Sequence, residues 1–212
     1  MKYILICCIT FSLGSVISQE STSIQFKFTL DDKLNIETLK FYITNIKLTL
    51  KNNEIFAEEN SCHLVDITNK DSQTILIKSI NPLNIKSIQY SIGTDSISNV
   101  SGILDGDLDP INGMYWAWNS GYINFKLEGA YFENSNLKPI ELHIGGYNSD
   151  QATIQHVVYN LTTNNYSSII IDVNPNTLIE QLDLESQNEV MIPGKKAVEI
   201  SKMLPSIFTI RE

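Results

Sequence analysis

The sequence predicts an all-β protein: an antiparallel β-sandwich, Greek-key-like, with one or two short helices near the C-terminus. Three observations predict it. Short runs alternating apolar and polar residues recur along nearly the whole chain. Segments rich in Asn, Asp, Gly and Ser separate them. Helical spacing occurs only late, after residue 173. Many short strands punctuated this way fit a sandwich or barrel.

The elements are justified in chain order. In SIQFKFTL, Ile24, Phe26, Phe28 and Leu30 share one face of a strand. LKFYITNIKLTL (39–50) is a longer strand whose apolar parity changes around Thr44–Asn45, which predicts a bulge or bend. HLVDI (63–67), TILIK (74–78) and KSIQYSIG (86–93) read as further strands. YINFKLEG sets Ile123, Phe125 and Leu127 against Tyr122, Asn124 and Lys126. PIELHIGG (139–146) sets Ile140, Leu142 and Ile144 against Glu141 and His143. ATIQHVVYNL (152–161) and SSIIIDV (167–173) complete the set. NPNTLIEQLD (174–183) has Pro175 near a helix start, and KKAVEISKML (195–204) is stopped by Pro205.

The first residues, MKYILICCITFSLGSVISQE, read as an export signal. A lysine precedes an apolar run, and Val16 and Ser18 fit the −3 and −1 positions of a cleavage before Gln19. The apolar run is too short for a membrane span. Residues 19–212 then form one domain, in the periplasm or secreted. Removal of Cys7 and Cys8 leaves Cys62 as the sole cysteine, so no internal disulfide is expected. The net charge of −9, without a basic run, argues against a nucleic-acid partner. Sequons occur at Asn99, Asn160 and Asn165 in a chain rich in Asn.

No G-x-S-x-G elbow, H-E-x-x-H, phosphate loop or dinucleotide fingerprint is present, so the expectation is a protein that is not an enzyme. Binding chemistry has more to work with. His143 lies on the face opposite Ile140, Leu142 and Ile144, which is either solvent or a lined site. His63 opens a strand at a loop edge, beside Cys62. Adjacent strand residues point to opposite faces, so these two should not share one ion. His156 shares a face with Ile154 and Val158 and is expected in the core or half-buried. Imidazoles on different strands can make a soft, low-coordinate site for copper, zinc, iron or nickel. In DGDLDP, Asp105, Asp107 and Asp109 recur at every second residue. That spacing suits either a solvated acidic turn or a calcium loop. Both tryptophans, Trp116 and Trp118, fall in GMYWAWNSGYINFKLEG. They form either a core wall on one strand face or, given Gly113, Asn119, Ser120 and Gly121, the side of a loop-borne site.

Taken together, FKFTL, ETLKFYITNIKL, HLVDI, YSIGTDSISNVSGILDGDLDPINGMYWAWNSGYINFKLEG and ELHIGGY resemble the MbnP-like family over residues 24–205. These are exported β-rich proteins related to methanobactin-associated periplasmic proteins and to surface copper proteins of methanotrophs. The chain is similar to the branch found in Bacteroidetes. The resemblance implies Cu(I) binding by two histidines and a kynurenine made from a tryptophan. It also implies a partner diheme cytochrome c peroxidase-like enzyme, which performs that oxidation in some of these systems. His63 and His143 match the family's histidine positions, and Trp116 and Trp118 match its aromatic motif. The reading is thus an exported copper protein, with calcium at Asp105, Asp107 and Asp109 as a further ion. The alternative is a structural or interaction module of the cell envelope that calcium stabilises.

Overall fold

The computed structural model describes residues 21–211 apart from 79, 134–135 and 163–167. The expected export signal (1–18) and the sequon at Asn165 lie outside the described residues. Two sheets pack on each other. The smaller runs in the order β13 (Phe208–Ile210), β11 (Ile169–Val173), β1 (Ser21–Phe28), β5 (Thr74–Lys78). The larger runs β10 (Gln155–Asn160), β6 (Ile85–Ile92), β2 (Leu34–Leu50), β8 (Gly121–Glu133), β9 (Asn136–Gly145), β12 (Glu189–Val190). Three short strands are added: β3 (Ile55–Ala57) and β4 (Cys62–Asp66) on β2, and β7 (Tyr115–Trp116) on β8. The all-β sandwich is as the alternation predicts. Two pairings, β1 with β11 and β9 with β12, are parallel rather than antiparallel, a direction that residue alternation does not encode.

The expected helices are shorter than their spacing suggests. The first stretch (174–183) forms only α2 (Asn176–Ile179), with Pro175 at the start, and a separate turn of helix, α3 (Leu184–Gln187), begins just past its end. The second is α4 (Lys195–Ser201), followed by a single 3-10 turn holding Pro205. One helix without a signal in the sequence, α1 (Ser96–Val100), is capped by the Asp95 carboxylate accepting the Ser98 N–H.

The main core lies between the sheets. Phe41 on β2 sits at its centre, edge-on to Phe26 at 5.8 Å and Phe208 at 5.1 Å and stacked on Phe125 at 6.3 Å. Such arrangements add about 0.5–1.5 kcal/mol per pair beyond area burial. The predicted bulge in β2 falls between Thr44 and Lys47, with Asn45 left-handed at φ 54. It keeps both Ile43 and Ile46 on the core face although their numbers differ in parity. A second bulge leaves no trace in the alternation. Ile123 pairs with Gly145 but Phe125 with Ile144, so Asn124 is an extra residue. Ile123 therefore leaves the face of Phe125 and Leu127 and turns to the outer side of the sheet.

The central strand β2 sets the geometry of the outer face. Its Lys40 and Phe41 pair with both β4 and β8, and its Ile43 and Thr44 pair with both β4 and β6. A strand has two edges, so β8 and β6 occupy the same edge in succession and part company near residue 42. Buried polar groups fill the fork. The Asn124 carbonyl oxygen accepts from the Thr94 N–H at 2.9 Å and from its hydroxyl at 3.1 Å, while the Asn124 amide donates to Thr153 at 2.9 Å. Gly93 stands at φ +105, with Asn124 Cγ 2.6 Å from where a Cβ would be, so a side chain is excluded there. Asn99 joins the network, donating to Thr94 Oγ1 and accepting the Tyr122 N–H. It is buried, so its sequon is internal.

Beyond β6 the chain crosses the outer face of the larger sheet. Residues 95–120 form a cap over a second, small core of Tyr42, Leu64, Leu108, Met114, Trp116, Tyr122 and Ile123.

Candidate metal and tryptophan site

The cap is pinned from several sides. The Tyr42 hydroxyl donates to the Asp107 carbonyl at 3.1 Å, and its ring meets Tyr122 edge-on at 6.0 Å. Lys40 and Lys126 rise from the sheet to the carbonyls of Asn112 and Gly113, at 3.2 and 3.5 Å. The acidic turn is part of this docking. Asp107 accepts the Leu64 N–H of β4 at 3.0 Å, and Asp109 accepts the Ile111 N–H at 2.9 Å, starting the next turn. Two of the three carboxylates are thus committed to backbone N–H groups. Among the described residues, no group of three or more His, Cys, Asp or Glu side chains gathers as an ion would require. The calcium reading of Asp105, Asp107 and Asp109 gains no support from this turn, which acts as a clasp.

The two tryptophans have opposite fates. Trp116 closes β7 and is only 6% exposed, while Trp118 lies beyond the strand in the following turn and is 65% exposed. Their rings still touch, with centroids 6.0 Å apart and planes tilted by 50°. Spacing of two residues does not put them on one strand face, because the strand has already ended. The benzo edge of Trp116 lies over Gly145: a Cβ there would stand 2.7 and 2.8 Å from ring atoms Cζ3 and Cη2. Trp116 Nε1 is buried without a hydrogen-bond partner among the described residues, an arrangement that costs about 1–3 kcal/mol. Beside the ring, a pocket of about 50 Å³ is lined by Asn119, Tyr147, Asn148 and Gln151.

His143 is on the same outer face as Trp116. Its neighbours Leu142 and Ile144 enter the main core, so it points the other way, as the alternation predicts. It is buried, and its Nε2 is 2.7 Å from Glu128 Oε1, with Lys126 3.1 Å from the same oxygen. Burial pushes the Glu128 carboxyl up, but hydrogen bonds from Thr38, His143 and Lys126 outweigh it and hold it below the usual carboxylate range. The bond through Nε2 leaves Nδ1 as the nitrogen to face an ion, the arrangement in which a carboxylate orients a metal-binding imidazole.

His63 lies elsewhere. It pairs with Ile43 and so shares the inner, core-side face, whereas Leu64 and Cys62 turn to the outer core. Its Nε2 is 2.8 Å from Glu58 Oε2. Burial raises the Glu58 carboxyl, and the hydrogen bonds from His63 and Ser61 bring it below its ordinary value. His63 and His143 are on opposite faces, with β2 and β8 between their strands. Three inter-strand steps amount to roughly 14 Å, and nitrogen ligands sit about 2 Å from an ion. The fold does not bring these two histidines together.

The remaining expected residues have clear places. His156 is exposed rather than core or half-buried, because Val157 and Tyr159 take the inward positions on β10. Its Nδ1 is 2.9 Å from Ser91 Oγ. Cys62 is half-buried. Its thiol is pushed up to about 12 by burial first and by the nearby charges of Asp107 and Asp95 second, which keeps it protonated. Glu58 and Glu128 were missed by sequence reasoning. For Glu128 a signal existed: the alternation of FKLE puts it and Lys126 opposite Phe125 and Leu127, the face His143 shares.

These features define a class: two packed β-sheets, the larger bearing a tryptophan-sealed cap beside a histidine backed by a carboxylate. The family is named by comparison. The MbnP family profile matches residues 9–192, and the chain belongs to the MbnP family. The solved structure of MbnP from Methylosinus trichosporium is similar in fold, with TM-score 0.60 and 11% identity over 82% of this chain and 84% of that one. No curated protein matches significantly. Membership of this family supports a metal-related role. Among the described residues no helix is long and apolar enough to cross a membrane.

Proposed function

We propose that the protein is an exported, non-catalytic copper-binding protein whose site lies on the outer face of the larger sheet, at His143 and Trp116. One observation carries this reading. A buried histidine with a carboxylate behind it shares its face with a buried tryptophan whose N–H has no partner among the described residues, and the ring lies over Gly145, two residues along the strand from that histidine. Neutral imidazole is a good ligand for Cu(I). Kynurenine at Trp116 would add an amine and a carbonyl that indole lacks. The change is a net gain of one oxygen and loss of one carbon, about 4 Da. It needs an external oxidising partner, for which a diheme cytochrome c peroxidase-like enzyme is the proposal. Residues 1–18, which read as an export signal, support a periplasmic or secreted location.

The test is Cu(I) uptake by protein purified from its native host, with peptide mapping of Trp116 and Trp118. His143→Ala should lose stoichiometric uptake, while His63→Ala and His156→Ala should keep it. Trp116 should carry the mass gain in host material and lack it in protein expressed alone. Unchanged uptake in His143→Ala removes this site, and loss only in His63→Ala moves it to the other face. A second reading, an interaction module of the envelope, is favoured by the exposure of Trp118 and Ile111.

A further inference from the structure

The cap has an inside and an outside. Leu104, Leu108, Met114 and Trp116 face the small core beneath it. Ile97, Val100, Ile103, Ile111 and Trp118 face outward, and Ile111 is 87% exposed. Ile97 and Val100 are three apart on α1 and so share one side of it. Trp118 rests one side of its ring against Trp116 and leaves the rest open, and a concentration of large exposed apolar residues on one segment marks an interaction surface.

The charge on the same segment says what covers it. Between Lys86 and Lys126 the chain has no lysine, arginine or histidine, while Asp95, Asp105, Asp107 and Asp109 all lie in the cap. The two lysines beneath it are already matched, Lys40 by Asp66 and Lys126 by Glu128, each at 3.1 Å. The cap segment therefore carries both exposed apolar side chains and acids, and no cation of its own. A second copy would set acid against acid, and an anionic bilayer would be repelled in the same way.

We propose that residues 97–118 form a docking surface for a protein whose contact face has an apolar centre and a rim of lysine or arginine. The acids steer the encounter, and Trp118 and Ile111 supply the buried anchors. This surface stands apart from metal binding and holds whether or not copper is bound.

The probe is a designed helical peptide with one leucine–tryptophan face flanked by lysines, compared with a scrambled version and a version flanked by glutamates. The ¹⁵N-labelled protein is titrated with each at about 10 mM and about 0.5 M salt, where the Debye length falls from about 30 Å to a few ångströms. The lysine-flanked peptide should shift Ile97, Val100, Ile103, Ile111 and the Trp118 indole at low salt, and the shifts should fade at high salt. Ile111→Ser should weaken binding about fivefold or more, as should Asp105→Lys. Leu76→Ser, on the exposed side of β5, should change nothing. Melting curves establish that each variant is folded. Four results would overturn the proposal: no shifts at low salt, shifts spread over acids elsewhere, equal binding of the scrambled or glutamate peptide, or the same residues responding to anionic vesicles or to protein concentration alone.

Discussion

Gly145→Ala is the smallest change that should disturb the seat of Trp116. The new Cβ would stand 2.5 Å from the Tyr122 carbonyl oxygen and 2.7 and 2.8 Å from Trp116 Cζ3 and Cη2. Ordinary contacts begin near 3.4 Å, so both the ring and the β8 backbone must give way. Overpacking of this kind costs about 1–3 kcal/mol. For a domain of this size each kcal/mol lowers Tm by about 2–4 °C, so a fall of about 2–12 °C is expected. The chain has only two tryptophans, and near-UV circular dichroism should report the displaced ring directly. The same substitution made in a Trp116→Leu background isolates the ring's share. The penalty should shrink there but not vanish, because the clash with Tyr122 remains; the difference between the two costs is the coupling energy, expected at about 0.5–3 kcal/mol. A Gly145→Ala protein melting within about 1 °C of wild type, with an unchanged near-UV spectrum, would refute the packing argument.

Two further outcomes rest on titratable groups around the cap. Glu128 is held below its ordinary range in the folded state, so its contribution to stability is present above the unfolded carboxylate pKa of about 4.3 and is lost as pH falls through the folded value. Glu128→Gln should therefore lower stability by about 1 kcal/mol at pH 7, with the gap closing at pH 3, in urea titrations at the two pH values; an equal gap at both would show that the charge is irrelevant. The Cys62 thiol, pushed up to about 12, should react with an alkylating reagent at pH 8 on the order of a thousandfold more slowly than a free thiol. It should recover the free rate in denaturant, and rapid labelling of the folded protein would contradict its burial.

Much of the fold was legible because strands advertise themselves by alternation. β5 falls where TILIK predicted, and the bulge at Asn45 shows in the shift of apolar parity. The family resemblance, resting on GMYWAW and HIGG, is borne out by the profile match. What failed did so for physical reasons. The faces of His63 and His143 follow from local parity, but their separation depends on strand order, which no local pattern records. His156 shares a face with apolar residues that line the outside, since alternation gives two faces without saying which is inner. Trp116 and Trp118 obey no common parity because a turn separates them. The bulge at Asn124 is set by a contact with Thr94, thirty residues away.

The edge of β2 that β8 and β6 occupy in succession constrains how the chain can reach this state. Its partners on both edges come from residues 55–66, 85–92 and 125–131, so the strand cannot be fully paired until well over half the chain is available. Until then the part of β2 that β8 pairs, with Leu34, Ile36, Leu39 and Phe41, keeps an open edge, the kind of template that recruits other chains. Non-local pairing of this sort also slows folding. The vulnerable period of this protein therefore ends with the arrival of β8, and substitutions that delay that pairing should reduce the yield of soluble protein even where the finished structure tolerates them.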